Sequence, residues 1–135
     1  MEMRYSLALY RSDLTDSNQK IIPIGVLVVD EKDKKYAFKS LENFQGIAGE
    51  DYISRSIWDS LPEILEQEFE GYCENPNHDL YKDLVGRYHG FISQVIEDSV
   101  HSSITFSDSE PIERAKDLEQ TCNDIFQKKV LRALN

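Results

Sequence analysis

No stretch of this chain approaches the roughly 20 consecutive apolar residues that a membrane-spanning helix requires. The longest apolar run, Ile21 to Val29, is interrupted by Pro23 and Gly25, so no membrane span is expected. Cysteine is scarce. Cys73 and Cys122 stand alone, without the paired spacing of a zinc site, a redox couple or a disulfide framework. His78, His89 and His101 add no second pair that would complete a tetrahedral ligand set with them. There is no Gly-x-Ser-x-Gly, no glycine-rich phosphate loop, no internal repeat and no low-complexity segment. The N-terminus leads from Met1-Glu2-Met3-Arg4 straight into a strand pattern, which argues against a signal peptide. These absences lead to the expectation of a cytoplasmic protein with free thiols, no metal and no cofactor.

Positive charge is missing from one region altogether. Between Arg55 and Lys82 there is no Lys or Arg, while Asp59, Glu63, Glu66, Glu68, Glu70, Glu74 and Asp79 are all acidic. The whole chain has 25 acids and 15 bases, net -10. Removing those seven acids leaves -3 for everything else. The remaining bases are scattered, and the densest group, Lys32, Lys34 and Lys35, is interleaved with Asp30, Glu31 and Asp33. Nucleic-acid binding draws on Lys and Arg that neutralise phosphates, so no direct nucleic-acid partner is expected. Asp59, Glu63, Glu66, Glu70 and Glu74 follow a spacing of 4, 3, 4 and 4, the period of one helix face. That face suits a protein partner with a basic surface; it also suits plain solvation.

At 135 residues, 40% hydrophobic and 30% charged, the chain reads as a single globular domain spanning 1–135. Met3 to Arg11 alternates, with Met3, Tyr5, Leu7 and Leu9 on one side, and predicts a strand with one well-buried face. Ile21 to Asp30 predicts a strand buried on both faces. Pro23 belongs at its start or edge, because proline cannot donate to a ladder, and Gly25 marks a bulge or a close backbone approach. A charged turn and a returning strand, Lys35 to Lys39, complete an antiparallel meander. A short helical pattern covers 51–59. Ser60-Leu61-Pro62-Glu63 fits a capping box and predicts a fresh helix to about Cys73, with Leu61, Ile64, Leu65, Phe69 and Tyr72 inward. Leu80 to Val100 predicts a helix carrying Gly86 and Gly90. His101 to Ser107 predicts a fourth strand, and a last helix follows, capped by Asp108 or Ser109 with Pro111 in its first turn. The expected fold is α+β: a four-stranded, mostly antiparallel sheet with three to four helices covering one face.

MRYSLALYRSD followed by IPIGVLVVDE, and SSITFSDSEPIERAKDLEQTCNDIFQKKV near the end, resemble the bacterial domain-of-unknown-function family numbered three-zero-three-seven. The resemblance covers about half the chain and contains no catalytic signature. It departs from the family where Gln19-Lys20-Ile21-Ile22-Pro23 stands in place of a Glu and Asn before the Gly-Val strand. Family members are similar to small companions of HipA-like kinase proteins, so the resemblance implies a regulatory or binding role.

Three functions fit these features. The first is a non-enzymatic binding or regulatory module that uses the acidic stripe. The second is a phosphodiester-acting enzyme with Mg²⁺ on Asp30, Glu31 and Asp33, residues that equally describe a solvated hairpin tip. The third is an acidic inhibitor that mimics DNA charge along Asp59 to Glu74. Glu68 is a candidate buried acid: the helical period aims it at the apolar face, toward Arg87 or His89. A lone buried carboxylate costs several kcal/mol, so the alternative is that it snorkels to the rim.

Overall fold

A computed structural model of the chain describes residues 3–12, 20–30, 32–74, 91–98, 103–112 and 117–132. Strand β1 (Met3–Ser12), β2 (Lys20–Asp30) and β3 (Lys35–Ser40) form the expected antiparallel meander. Helices α1 (Phe44–Ala48), α2 (Tyr52–Glu74) and α3 (Phe91–Asp98) follow, then β4 (Ile104–Phe106), β5 (Glu110–Ile112) and α4 (Leu118–Phe126), which runs on into a π-helical turn, Gln127–Leu131. The sheet order is β3-β2-β1-β4, and β5 also pairs with β1. The fold is thus α+β around an antiparallel sheet.

Strand β2 is the spine of the sheet. Its alternation sends Leu27 and Val29 toward one layer and Val26 and Val28 toward another, all fully buried. On the first side they meet Trp58, Leu61, Leu65, Phe69 and Tyr72 of α2, Phe44 of α1, and Phe91, Ile92 and Val95 of α3. On the second they meet Cys122 and Phe126 of α4 and Val130 just beyond it. Helices α1 to α3 therefore share one face of the sheet, whereas α4 packs on the other, so the described helices flank the sheet on both sides where coverage of one face was expected. Strand β1 follows the same division. Met3, Tyr5 and Leu7 face α4, while Ser6, Ala8 and Tyr10 occupy the opposite and more deeply buried side.

Both expectations at Gly25 hold together. The β1–β2 register steps from Ala8↔Gly25 to Leu9↔Pro23, so Ile24 is an extra residue. One inserted residue reverses the pleat, which is why Ile24 and Leu27 reach the same core despite their odd separation. A Cβ on Gly25 would lie 3.0 Å from the Lys39 carbonyl oxygen and 3.2 Å from Trp58 Cη2. Pro23 is opposite Leu9 of β1 but sits beyond the last β2–β3 pair, Gly25↔Ser40, so its missing N–H costs no bond to β3.

Two expected boundaries are displaced. The region from Tyr52 to Glu74 is one helix with Pro62 inside it, not two helices meeting at Ser60. Its buried residues Ser54, Trp58, Leu61, Leu65, Phe69 and Tyr72 keep an unbroken helical period across the proline. A break would separate two halves of one packing surface. Asp51 starts the helix by accepting the Ser54 N–H (3.1 Å). Toward the C-terminus, Glu110–Ile112 is a strand, with Pro111 opposite Arg4, where a helix start was expected. The cap of α4 is Asp117, which accepts the Gln120 N–H at 2.8 Å. Ser107 separates β4 from β5, yet stays tied to β1 through Ser107 N–H to the Leu7 carbonyl and Leu7 N–H to Ser107 Oγ.

Two substitutions test this frame. Gly25→Ala forces a Cβ against a backbone oxygen that cannot swing away, and should destabilise the chain by about 1–3 kcal/mol. Pro62→Ala, at an exposed position, restores a helical N–H and should stabilise it by about 1–3 kcal/mol. Urea unfolding of each variant measures both, and opposite signs are expected.

Candidate functional site

Because α2 turns Trp58, Leu61, Leu65, Phe69 and Tyr72 inward, its other side is held outward. Asp59, Glu63, Glu66, Glu70 and Glu74 all lie on that one helix and all are exposed. Arg55, the single base within α2, sits at the opposite end, donating to the Gly49 carbonyl and lying 5.2 Å over the Tyr52 ring. The stripe works against the helix that carries it. Like charges at i,i+3 and i,i+4 repel by about 0.2–0.5 kcal/mol per pair. Glu74 also stands at the negative end of the helix dipole, and the last turn has no base.

Tyr36 of β3 marks where the stripe meets the sheet. Its ring packs 4.7 Å from that of Phe69. Burial raises its hydroxyl pKa, and the charges of Glu66 and Glu70 raise it further. Glu68, the candidate buried acid, is half-buried at the margin of the inner face. Arg87 and His89, either of which it was expected to face, lie outside the described residues. Ile64, expected inward, is 40% exposed.

The hairpin tip carries a turn. Asp30 is buried, and its Oδ1 accepts the N–H groups of Lys32 (3.1 Å) and Asp33 (3.2 Å). Lys34 takes a left-handed conformation, φ 52°, to close the hairpin. Asp33 is exposed, and Glu31 lies outside the described residues. Among the described residues, no three His, Cys, Asp or Glu gather closely enough to hold a metal ion. Cys122 is buried, points its Sγ at the Val26 carbonyl (3.7 Å), and has its thiol pushed up to about 11 by burial. Cys73 is half-buried. His78, His89 and His101, with Asp79, Gly86 and Gly90, lie outside the described residues. No helix of the described residues is long and apolar enough to cross a membrane.

One polar cluster went unmarked in the sequence. Asp51 Oδ2 accepts the Tyr10 hydroxyl at 2.8 Å and the Ser54 hydroxyl at 2.7 Å, and Ser54 Oγ also meets Ser103 Oγ. Burial by itself pulls the Asp51 carboxyl upward, but the hydrogen bonds from Ser54 and Tyr10 outweigh it and leave the pKa below its ordinary 3.8. A carboxylate so stabilised is a poor general base at neutral pH. The cluster ties the start of α2 to the β1–β4 end of the sheet. Its local signal was Asp51 three residues before Ser54; its long-range partners, Tyr10 and Ser103, left none.

The cluster sets a pH window. The folded pKa of Asp51 is lowered, so its contribution is complete above about pH 4 and is lost as pH falls through the lower folded value. The Tyr10 hydroxyl is raised from 10.0 to about 12, foremost by burial, so its contribution is complete below pH 10 and disappears between 10 and 12. Asp51→Asn should cost about 1–3 kcal/mol at pH 7, a difference that shrinks below pH 4. Tyr10→Phe should cost about 1 kcal/mol and soften the alkaline limb. Urea titrations across pH check both.

Comparison with protein-family models, curated proteins and solved structures returned no match for this chain.

Proposed function

We propose that this chain is a non-enzymatic binding module that docks the acidic side of α2 on the basic surface of a protein partner. One observation carries the reading. Five carboxylates are held exposed along a helix whose own stability they lower, with no base interleaved. A face kept only for solubility would tolerate alternating charges, which stabilise a helix instead. The Asp59–Glu74 span rises about 22 Å along the helix axis at 1.5 Å per residue, enough to engage several cations at once. The resemblance described above adds a regulatory setting, as companion to a kinase or toxin. A partner surface built to hold nucleic acid belongs to the same class, with the stripe taking the place of phosphates. For the hairpin tip, engagement of Asp30 by two backbone N–H groups favours the turn over a Mg²⁺ site.

The test is charge reversal with Glu63→Lys, Glu66→Lys and Glu70→Lys combined. Relief of repulsion should leave the variant at least as stable as the parent in thermal unfolding. Capture of its partner from the native host should then fall at least tenfold, a loss of about 1.4 kcal/mol, and parent capture should weaken as salt rises. Undiminished capture by a folded variant refutes the reading. Displacement of the partner by duplex DNA would identify it as a nucleic-acid-binding protein.

A further inference from the structure

The acidic face of α2 borders a second feature, the outer edge of β3. Among the described residues, strand β3 ends the sheet order, paired with β2 on one side only. Leu41 N–H donates to the Ile24 carbonyl, and the antiparallel alternation continues that phase through Lys39, Ala37 and Lys35. The N–H and C=O groups of Tyr36 and Phe38 therefore point away from β2. Among the described residues they make no hydrogen bond. The opposite margin of the sheet differs. There the short β4 and β5 are interrupted at Ser107–Ser109 and tied to β1 through serine side chains, and short, broken strands are poor templates for pairing.

The two sides of the β3 edge are chemically unlike. On the α4 side, Lys39 is engaged, donating to Asn123 Oδ1 at 2.9 Å and lying 5.1 Å over the Phe126 ring. On the α2 side, Tyr36 packs against Phe69 and Phe38 against Trp58, and the charges of the exposed Glu66 and Glu70 act on Tyr36. A strand laid along this edge would place alternate side chains on the acidic side, about 6.6–7 Å apart. That is close to the roughly 6 Å rise between helix positions four apart. Main-chain pairing would supply affinity, and the alternate basic side chains would supply selectivity.

We propose that the outer edge of β3 takes up an extended segment of the partner as an added strand, with Lys or Arg at alternate positions facing Glu66 and Glu70. This inference rests on the reading of α2 as the docking face and specifies the form the partner takes there.

The probe is a short synthetic peptide alternating Arg with Val, titrated against the full chain by fluorescence anisotropy. Two further peptides carry N-methyl groups on alternate residues, one in each phase. Methylating the phase that faces β3 should weaken binding about tenfold or more through lost main-chain hydrogen bonds, while the other phase should bind as before. Hydrogen exchange at the Tyr36 and Phe38 amides should slow when the unmodified peptide binds. Equal binding by both methylated peptides overturns strand addition, as does failure of the unmodified peptide to bind. If equal binding is nonetheless lost on Glu66→Lys with Glu70→Lys, the acidic docking face stands without the strand. Binding indifferent to those reversals removes both.

Discussion

Contact between the inner side of α2 and the sheet orders everything else in this molecule. Trp58, Leu61, Leu65, Phe69 and Tyr72 lie at the helical period and fill the layer over Leu27 and Val29. Full burial of such a side chain contributes about 1.5–3 kcal/mol. Five of them outweigh the roughly 3 kcal/mol that proline costs within a helix. That comparison explains why Pro62 is tolerated in mid-helix. It also fixes the rotation of α2, and with it the direction in which the carboxylates point. The charged side is exposed because the apolar side of the same helix is buried against the sheet.

The same contact explains how the polar groups are distributed. Asp51 begins α2 where the helix meets the sheet, so its capping role and its bond to Tyr10 are two uses of one carboxylate. Strand β2 is buried on both faces, and the described sheet ends at β3 on one side and, beyond β1, at β4 with β5 on the other. One margin, β4 with β5, is closed by serine hydroxyls and backbone bonds. The other, β3, is continuous and lies beside the strongest concentration of negative charge. A charged helix face and a strand edge without a partner among the described residues thus come together through packing, although neither needs the other for the fold.

The sequence was most legible where the physics is local. The antiparallel meander followed from alternation and short turns. The special status of Gly25 followed from its lack of a Cβ, and the exposure of Asp59, Glu63, Glu66, Glu70 and Glu74 from helical spacing. Local signals misled where a distant contact outweighed them. Ser60-Leu61-Pro62-Glu63 has the composition of a helix start, but continuity of the buried stripe overrode it. Ser109-Glu110-Pro111 resembles another start, yet Glu110 to Ile112 pairs with Tyr5, Arg4 and Met3 across more than a hundred residues. Helical phase alone points Ile64 inward, yet it lies at the exposed rim.

By itself, the amino-acid order determined periodicity: which segments alternate, which repeat at the helical interval, and that acids fill one side of a mid-chain helix. Those are properties of neighbouring residues, set by backbone geometry and side-chain polarity. Only the tertiary structure decided that α4 packs on the far face, that Tyr10, Asp51, Ser54 and Ser103 converge, and that the acidic stripe borders Tyr36 on the outermost described strand. Such juxtapositions arise from burial shared among segments far apart in the chain, and no local pattern encodes which distant surface will supply the matching half.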